Sequence, residues 1–258
     1  MSGDLFSLSG RVALVTGGSR GIGRMIAEGL LEAGCRAVHI TGRNPDALAD
    51  TARELGGQCV PLPQDVSTVA GCRRLAASYG EREAGLDILV NNAGADWQEE
   101  FEDFSEEGWD LVMDLNLKSP FFLTQAMRPA LVAASRSGRP SKVINIASVD
   151  AFRLNRAEAY SYHASKSGLV HLTRRIAARL IREGIVVTGI APGAFATEMN
   201  PPALHEEAEV AARTPAGRIG RAADMQGAVV YLASRAGDWV VGETIVVDGG
   251  LTLAAIGT

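Results

Sequence analysis

Val12-Ala13-Leu14-Val15-Thr16-Gly17-Gly18-Ser19-Arg20-Gly21-Ile22-Gly23 decides the fold. Val12 to Thr16 is a short apolar run of strand length, bounded by glycines. The glycines let the chain turn sharply and bring its backbone close to a bound group. A helical pattern follows from Gly21 to Ala33. A helix that begins at such a turn presents unpaired N–H groups and a partial positive charge, which suits a pyrophosphate. Strand, glycine turn and helix in that order, near the N-terminus, read as a dinucleotide site.

The pattern outside this stretch repeats the same alternation. Apolar runs at 37–41, 59–62, 88–91, 143–148, 185–191 and 243–247 are predicted strands. Helices are predicted over 45–55, 67–82, 105–134 with a bend, 159–182 and 222–233. Strands alternating with helices pair in parallel through right-handed crossovers. Near-continuous apolar strands expect helices on both sheet faces. The prediction is α/β: one Rossmann-type doubly wound domain over 1–258, with a seven-stranded parallel sheet flanked by helices. Ligands of such a sheet bind beyond the carboxyl ends of its strands. The proline-bearing stretch 192–221 is long for a connection and reads as a substrate lid. One short helix is expected in it, over 206–212.

Composition excludes several classes. The 258 residues carry a formal charge of −5 with no basic block, so no nucleic acid is expected as partner. No apolar run approaches the roughly 20 residues that span a bilayer, so no membrane is expected either. Cys35, Cys59 and Cys72 lack metal-ligand spacing and read as reduced thiols of a cytoplasmic protein; no metal is expected. The segment 1–10 has no basic region followed by an apolar run, so no secretory signal is expected.

The second predicted strand ends His39-Ile40-Thr41-Gly42-Arg43, with no acidic residue at its tip. An acid there would bind ribose hydroxyls. Arg43, with Arg20 from the glycine loop, is placed to meet an adenosine 2′-phosphate instead, which favours NADP(H). Either arginine alone also fits a solvated surface.

Tyr162 and Lys166 are four apart on the predicted 159–182 helix, on one face. An ammonium beside a phenol is expected to lower its pKa, so that Tyr162 exchanges a proton with a carbonyl or alcohol. Taken alone the pair also fits a surface coincidence. Ser148, at the end of the fifth strand, points toward the crevice or caps a turn. Asn116 stands in mid-helix, where an amide is poorly suited.

Together these residues resemble the classical short-chain dehydrogenase/reductase family along essentially the whole chain. The carrying motifs are 16–23, Asp65-Val66, Asn91-Asn92-Ala93-Gly94, Asn116, Ser148, 162–166, Pro192-Gly193 and Asp248-Gly249-Gly250. The resemblance implies a general acid/base at Tyr162 and a ribose-binding lysine at Lys166. Ser148 would polarise the carbonyl, and Asn116 would hold a relay water. Gly17, Ser19, Gly21, Ile22 and Gly23 would hold the cofactor phosphates. Asp65 and Val66 would meet adenine, and Asn92, Ala93 and Gly94 would line the cofactor. Pro192, Gly193 and Thr197 would hold the carboxamide, with Phe195 standing where a smaller aliphatic is usual. Trp97, Phe152, Leu154, Phe195 and Met199 are candidates for the substrate wall, although each fits a core position equally well.

The likeness extends to 3-oxoacyl-carrier-protein reductases and sugar-acid reductases, and implies reduction of a ketone or 3-oxoacyl group by NADPH. It also implies a homotetramer or dimer built on the helices at 105–134 and 159–182. The alternatives are an NAD(H)-dependent alcohol, polyol or sugar-acid dehydrogenase and, outside enzymes, a dinucleotide-sensing protein.

Overall fold

The computed structural model describes residues 5–136 and 138–254. Seven parallel strands form one sheet in the order β3-β2-β1-β4-β5-β6-β7. They are β1 (Val12–Thr16), β2 (Ala37–Gly42), β3 (Cys59–Pro63), β4 (Ile88–Asn91), β5 (Ser141–Ile146), β6 (Ile185–Pro192) and β7 (Thr244–Val247). The helices are α1 (Gly21–Glu32), α2 (Pro45–Leu55), α3 (Val69–Gly80), α4 (Glu106–Met113), α5 (Ser119–Ala134), α6 (Tyr160–Leu180), α7 (Pro201–His205), α8 (Glu207–Arg213) and α9 (Ala222–Ala233). The N-terminal signal reading falls partly on 1–4, outside the described residues.

Every residue of β1, β5 and β6 is buried, because helices cover both faces. One core, with Ile26, Leu30, Met225 and Val229, joins α1 and α9 to the sheet. The other, with Leu75, Leu123, Leu131 and Ile176, joins α3, α5 and α6 to the opposite face. The strand order reverses between β1 and β4, which opens a crevice at their carboxyl ends.

Two local departures from expectation matter for the site. The bend in the 105–134 segment is a π-helical turn, Asp114–Lys118, between α4 and α5. It carries one residue more than an α-turn, a device concentrated at functional sites. The lid holds two short helices, α7 and α8, where one was expected: Pro201 and Pro202 occupy the first turn of α7, where a missing N–H costs nothing. Among the described residues no helix is long and apolar enough to cross a membrane.

Candidate active site

The phosphate end is built on Gly17, Gly23 and Thr16. Gly17 adopts φ +66°, a left-handed conformation that favours glycine. A Cβ on Gly23 would lie 2.1 Å from the Gly17 carbonyl oxygen and 2.5 Å from Asn92 Nδ2, so only glycine lets α1 approach the loop. Thr16 ties β1 to β4: its hydroxyl accepts from the N–H groups of Asn92 (2.9 Å) and Ala93 (2.8 Å). Asn92 Nδ2 in turn donates to the Thr16 carbonyl at 2.8 Å.

The start of α1 has no side-chain cap and no acidic residue in its first turn. By contrast, Asn44 caps α2 by accepting from the N–H groups of Asp46 and Ala47. Orphan N–H groups with no internal acceptor make an anion site. The glycine cradle and this uncapped terminus fit a dinucleotide phosphate.

The other predicted cofactor residues gather around the same crevice mouth. Arg43 is exposed just beyond β2. Asp65 follows β3, and one carboxylate oxygen accepts from Ser67 N–H at 2.9 Å; Val66 beside it is buried. Pro192 ends β6, and Gly193 donates to the Val247 carbonyl at 2.9 Å. A Cβ on Gly21 would lie 3.3 Å from Thr197 Cγ2, so the start of the lid lies against the glycine loop. Arg20 is not free at this mouth: it pairs with Glu198, the residue after Thr197. Ser19 and Ile22 lie within the loop and first turn.

At the chemical end, the first turns of α6 bring Tyr162 to the crevice and Lys166 behind it. Lys166 Nζ lies 5.6 Å from the Tyr162 ring centroid. It is 4% exposed and donates to the Ile146 carbonyl at 2.9 Å, fixing it under the end of β5. Burial lowers its ammonium from 10.5 to about 8. Ser148 is buried at the start of the turn after β5; its Oγ accepts from Asp150 N–H at 3.1 Å, and its hydroxyl stands close enough to the Tyr162 phenol to favour the phenolate.

The electrostatics of Tyr162 correct the expected direction. Burial pushes the phenol up to about 12, opposed by the Ser148 hydrogen bond and reinforced by the charges of Asp150 and Asp96. Removing the half-buried ring from water outweighs what a neighbouring ammonium would do, and keeps the phenol protonated.

Asn116 sits in the π turn, 1% exposed. Its amide accepts from Ala95 N–H (2.8 Å) and donates to the Ala95 carbonyl (2.9 Å) and to Ser165 Oγ (3.1 Å). Ser165 donates onward to the Tyr162 carbonyl at 2.8 Å. A Cβ on Gly94 would meet Asn116 Oδ1 at 3.2 Å and Lys166 Nζ at 3.6 Å, so this glycine admits both groups. Ser165 and Thr16 were not singled out from sequence, although each lies inside a quoted motif. Their importance lies in hydrogen bonds between distant segments.

The predicted substrate wall is only partly assembled. Phe195 is 2% exposed, in the core with Ile26 and Met225, and its ring covers Gly220, where a Cβ would lie 2.5 Å away. It is a packing residue; the larger side chain is accommodated by that glycine. Trp97 is half-buried and packs on Gly108 of α4. Phe152 and Leu154 line a groove of about 370 Å³ with Asp150, Arg153 and His163. Met199 is half-exposed on the lid. A larger groove, about 620 Å³, lies on the outer face of α5 and α6 and includes Leu117, Phe121 and His171. It is separate from the catalytic crevice. Among the described residues no group of acidic, histidine and cysteine side chains could hold a metal.

This combination of glycine cradle, parallel sheet and Ser–Tyr–Lys crevice defines a dinucleotide-dependent oxidoreductase. A family model described as enoyl-(acyl carrier protein) reductase matches residues 17–252, and the chain belongs to the short-chain dehydrogenase/reductase family, acting on CH–OH and C=O groups. A Pseudomonas aeruginosa rhamnolipids biosynthesis 3-oxoacyl-[acyl-carrier-protein] reductase is 46% identical, aligned over 96% of this chain and 98% of its own. An Escherichia coli 2-dehydro-3-deoxy-D-gluconate 5-dehydrogenase is 41% identical over 95% and 96% of the two chains. Among solved structures, the P. aeruginosa RhlG/NADP active-site complex superposes with TM-score 0.93 at 45% identity, covering 97% and 99%. A gluconate 5-dehydrogenase from Burkholderia cenocepacia, in complex with NADP and tartrate, gives 0.88 at 38% identity, covering 98% and 99%.

Proposed function

We propose that this enzyme reduces a ketone or 3-oxoacyl-type carbonyl with NADPH. The observation that carries the reading is the half-buried Tyr162 ring beside Ser148 at the end of β5, with the buried Lys166 ammonium 5.6 Å from its centroid. A protonated phenol is the state that reduction consumes. NADPH supplies the hydride when bound. Tyr162 gives its proton to the carbonyl oxygen, and Ser148 donates to that oxygen as its negative charge develops. Lys166 and the Asn116-held loop position the phenol and return its proton. Arg43 meets the 2′-phosphate, joined by Arg20 when it leaves Glu198. Gly17, Ser19, Gly21, Ile22 and Gly23 hold the phosphates. Asp65 and Val66 meet adenine. Asn92, Ala93 and Gly94 line the cofactor, and Pro192, Gly193 and Thr197 hold its amide. Phe152, Leu154, Met199 and the edge of Trp97 face the substrate under the 192–221 lid of one domain.

The NADP complexes of two similar structures support this cofactor. The apolar groove on α5 and α6 supports a homotetramer, and the three buried thiols suit the cytoplasm. A second reading, polyol or sugar-acid oxidation, is favoured by the gluconate 5-dehydrogenase relatives. The test is NADPH and NADH oxidation across 3-oxoacyl thioesters, cyclic ketones, aryl ketones and keto-sugars. Turnover with NADPH on a ketone is expected. Preference for NADH sinks the cofactor assignment, and failure of the whole panel sinks the reductase.

A further inference from the structure

Arg20 and Arg43 flank one corner of the crevice mouth. Gly17 N–H donates to the Thr41 carbonyl at 2.7 Å, and the Thr51 hydroxyl of α2 donates to the Ser19 carbonyl at 2.9 Å. These bonds lay the glycine loop against the end of β2 and against α2, the two elements that Arg43 joins. The two guanidinium groups differ in their partners. Among the described residues Arg43 makes no ion pair, whereas Arg20 is taken by Glu198.

Glu198 is held in place by its own turn. Thr197 and Asn200 pair across it, with Asn200 N–H donating to the Thr197 carbonyl at 2.9 Å, and the Asn200 side chain caps α7. Thr197 lies against Gly21 of the glycine loop. The ion pair therefore joins the first turn of the lid to Arg20, the N-cap residue of α1. A carboxylate and a phosphate engage the same guanidinium fork, so they compete for it. The side chains of the pair are 72% and 67% exposed, so water weakens it and a more highly charged phosphate displaces it.

We infer that Glu198 is a specificity-determining residue for the cofactor: it holds Arg20 until a 2′-phosphate takes the guanidinium from it, and so tempers the affinity for NADPH while leaving NADH untouched. This rests on the reading of Arg20 and Arg43 as 2′-phosphate ligands and adds the competitor built into the lid.

Fluorescence titration of NADPH and NADH on the whole enzyme tests it, in the parent, Glu198→Gln, Arg20→Ala and the double variant. Glu198→Gln should tighten NADPH about two- to fivefold, the range an exposed pair is worth, and leave NADH unchanged. Arg20→Ala should weaken NADPH severalfold, and on that background Glu198→Gln should change nothing, since the competition has lost its object. Unaltered NADPH affinity in Glu198→Gln overturns the inference. So does tightening that is equal for both cofactors, or that persists without Arg20, because either is a general effect of removing a negative charge. Arg20→Ala that binds NADPH like the parent overturns it as well. In that case a weakened Arg43→Ala leaves the NADP(H) reading standing on Arg43, and only NADPH affinity indifferent to both arginines removes that reading too.

Discussion

Lys166→Met should make this protein more stable while disabling it. The ammonium is 4% exposed, and burial lowers it from 10.5 to about 8. At about 1.4 kcal/mol per unit, holding it charged at pH 7 costs the fold about 3 kcal/mol. The sign follows from linkage. The unfolded chain binds this proton more tightly, so the cost is full below pH 8 and fades as pH rises toward 10.5. Methionine has a similar length and removes the charge, but leaves the Ile146 carbonyl without its 2.9 Å donor, a loss of about 1 kcal/mol. The net gain at pH 7 is about 2 kcal/mol, or about 4 °C in Tm for a chain of this size. At pH 10 it should shrink to near zero. Thermal and urea denaturation of both proteins at the two pH values measure it, beside kcat/KM, which should fall by about 10³. A variant less stable than the parent at pH 7, or equally favoured at both pH values, refutes the argument.

Tyr162→Phe should lower kcat by about 10³ through loss of the proton donor, while NADPH fluorescence titration still detects binding. Arg43→Ala should weaken NADPH by about 10- to 100-fold, the worth of charge-assisted hydrogen bonds, and leave NADH within about twofold; paired Kd measurements check this. Gly23→Ala places a Cβ 2.1 Å from the Gly17 oxygen; it should cost about 3 kcal/mol of stability and weaken NADPH at least about tenfold, read by denaturation and titration.

Much of this was legible in the residues. β1, β4, α2 and α9 have the limits their apolar patterns predict; Gly17 after β1 and Asn44 and Gly56 on either side of α2 mark those ends in the sequence. Tyr162 and Lys166 lie where helical spacing puts them. Other features depend on tertiary context. The π turn has no marker in 114–118 beyond an ill-suited Asn116, whose reason is its three hydrogen bonds to Ala95 and Ser165. In the sequence Phe195 fits a pocket or a core position equally; Gly220 beneath its ring makes it a core residue. Arg20 found Glu198, 178 residues away. The direction of the phenol's pKa is not legible in spacing, which reveals a neighbour's charge, whereas burial depends on every segment around it.

The π turn at Asp114–Lys118 also separates two jobs that one uninterrupted helix would couple. The surplus residue rotates α5 against α4 by about 100°, the angle of one helical step. The α4 side can then follow the needs of the crevice loop while the α5 side follows those of the sheet. Sequence drift on one side is thereby insulated from the other. Deleting a single residue between 114 and 118 would join the two faces into one phase, making this a point where length matters more than composition.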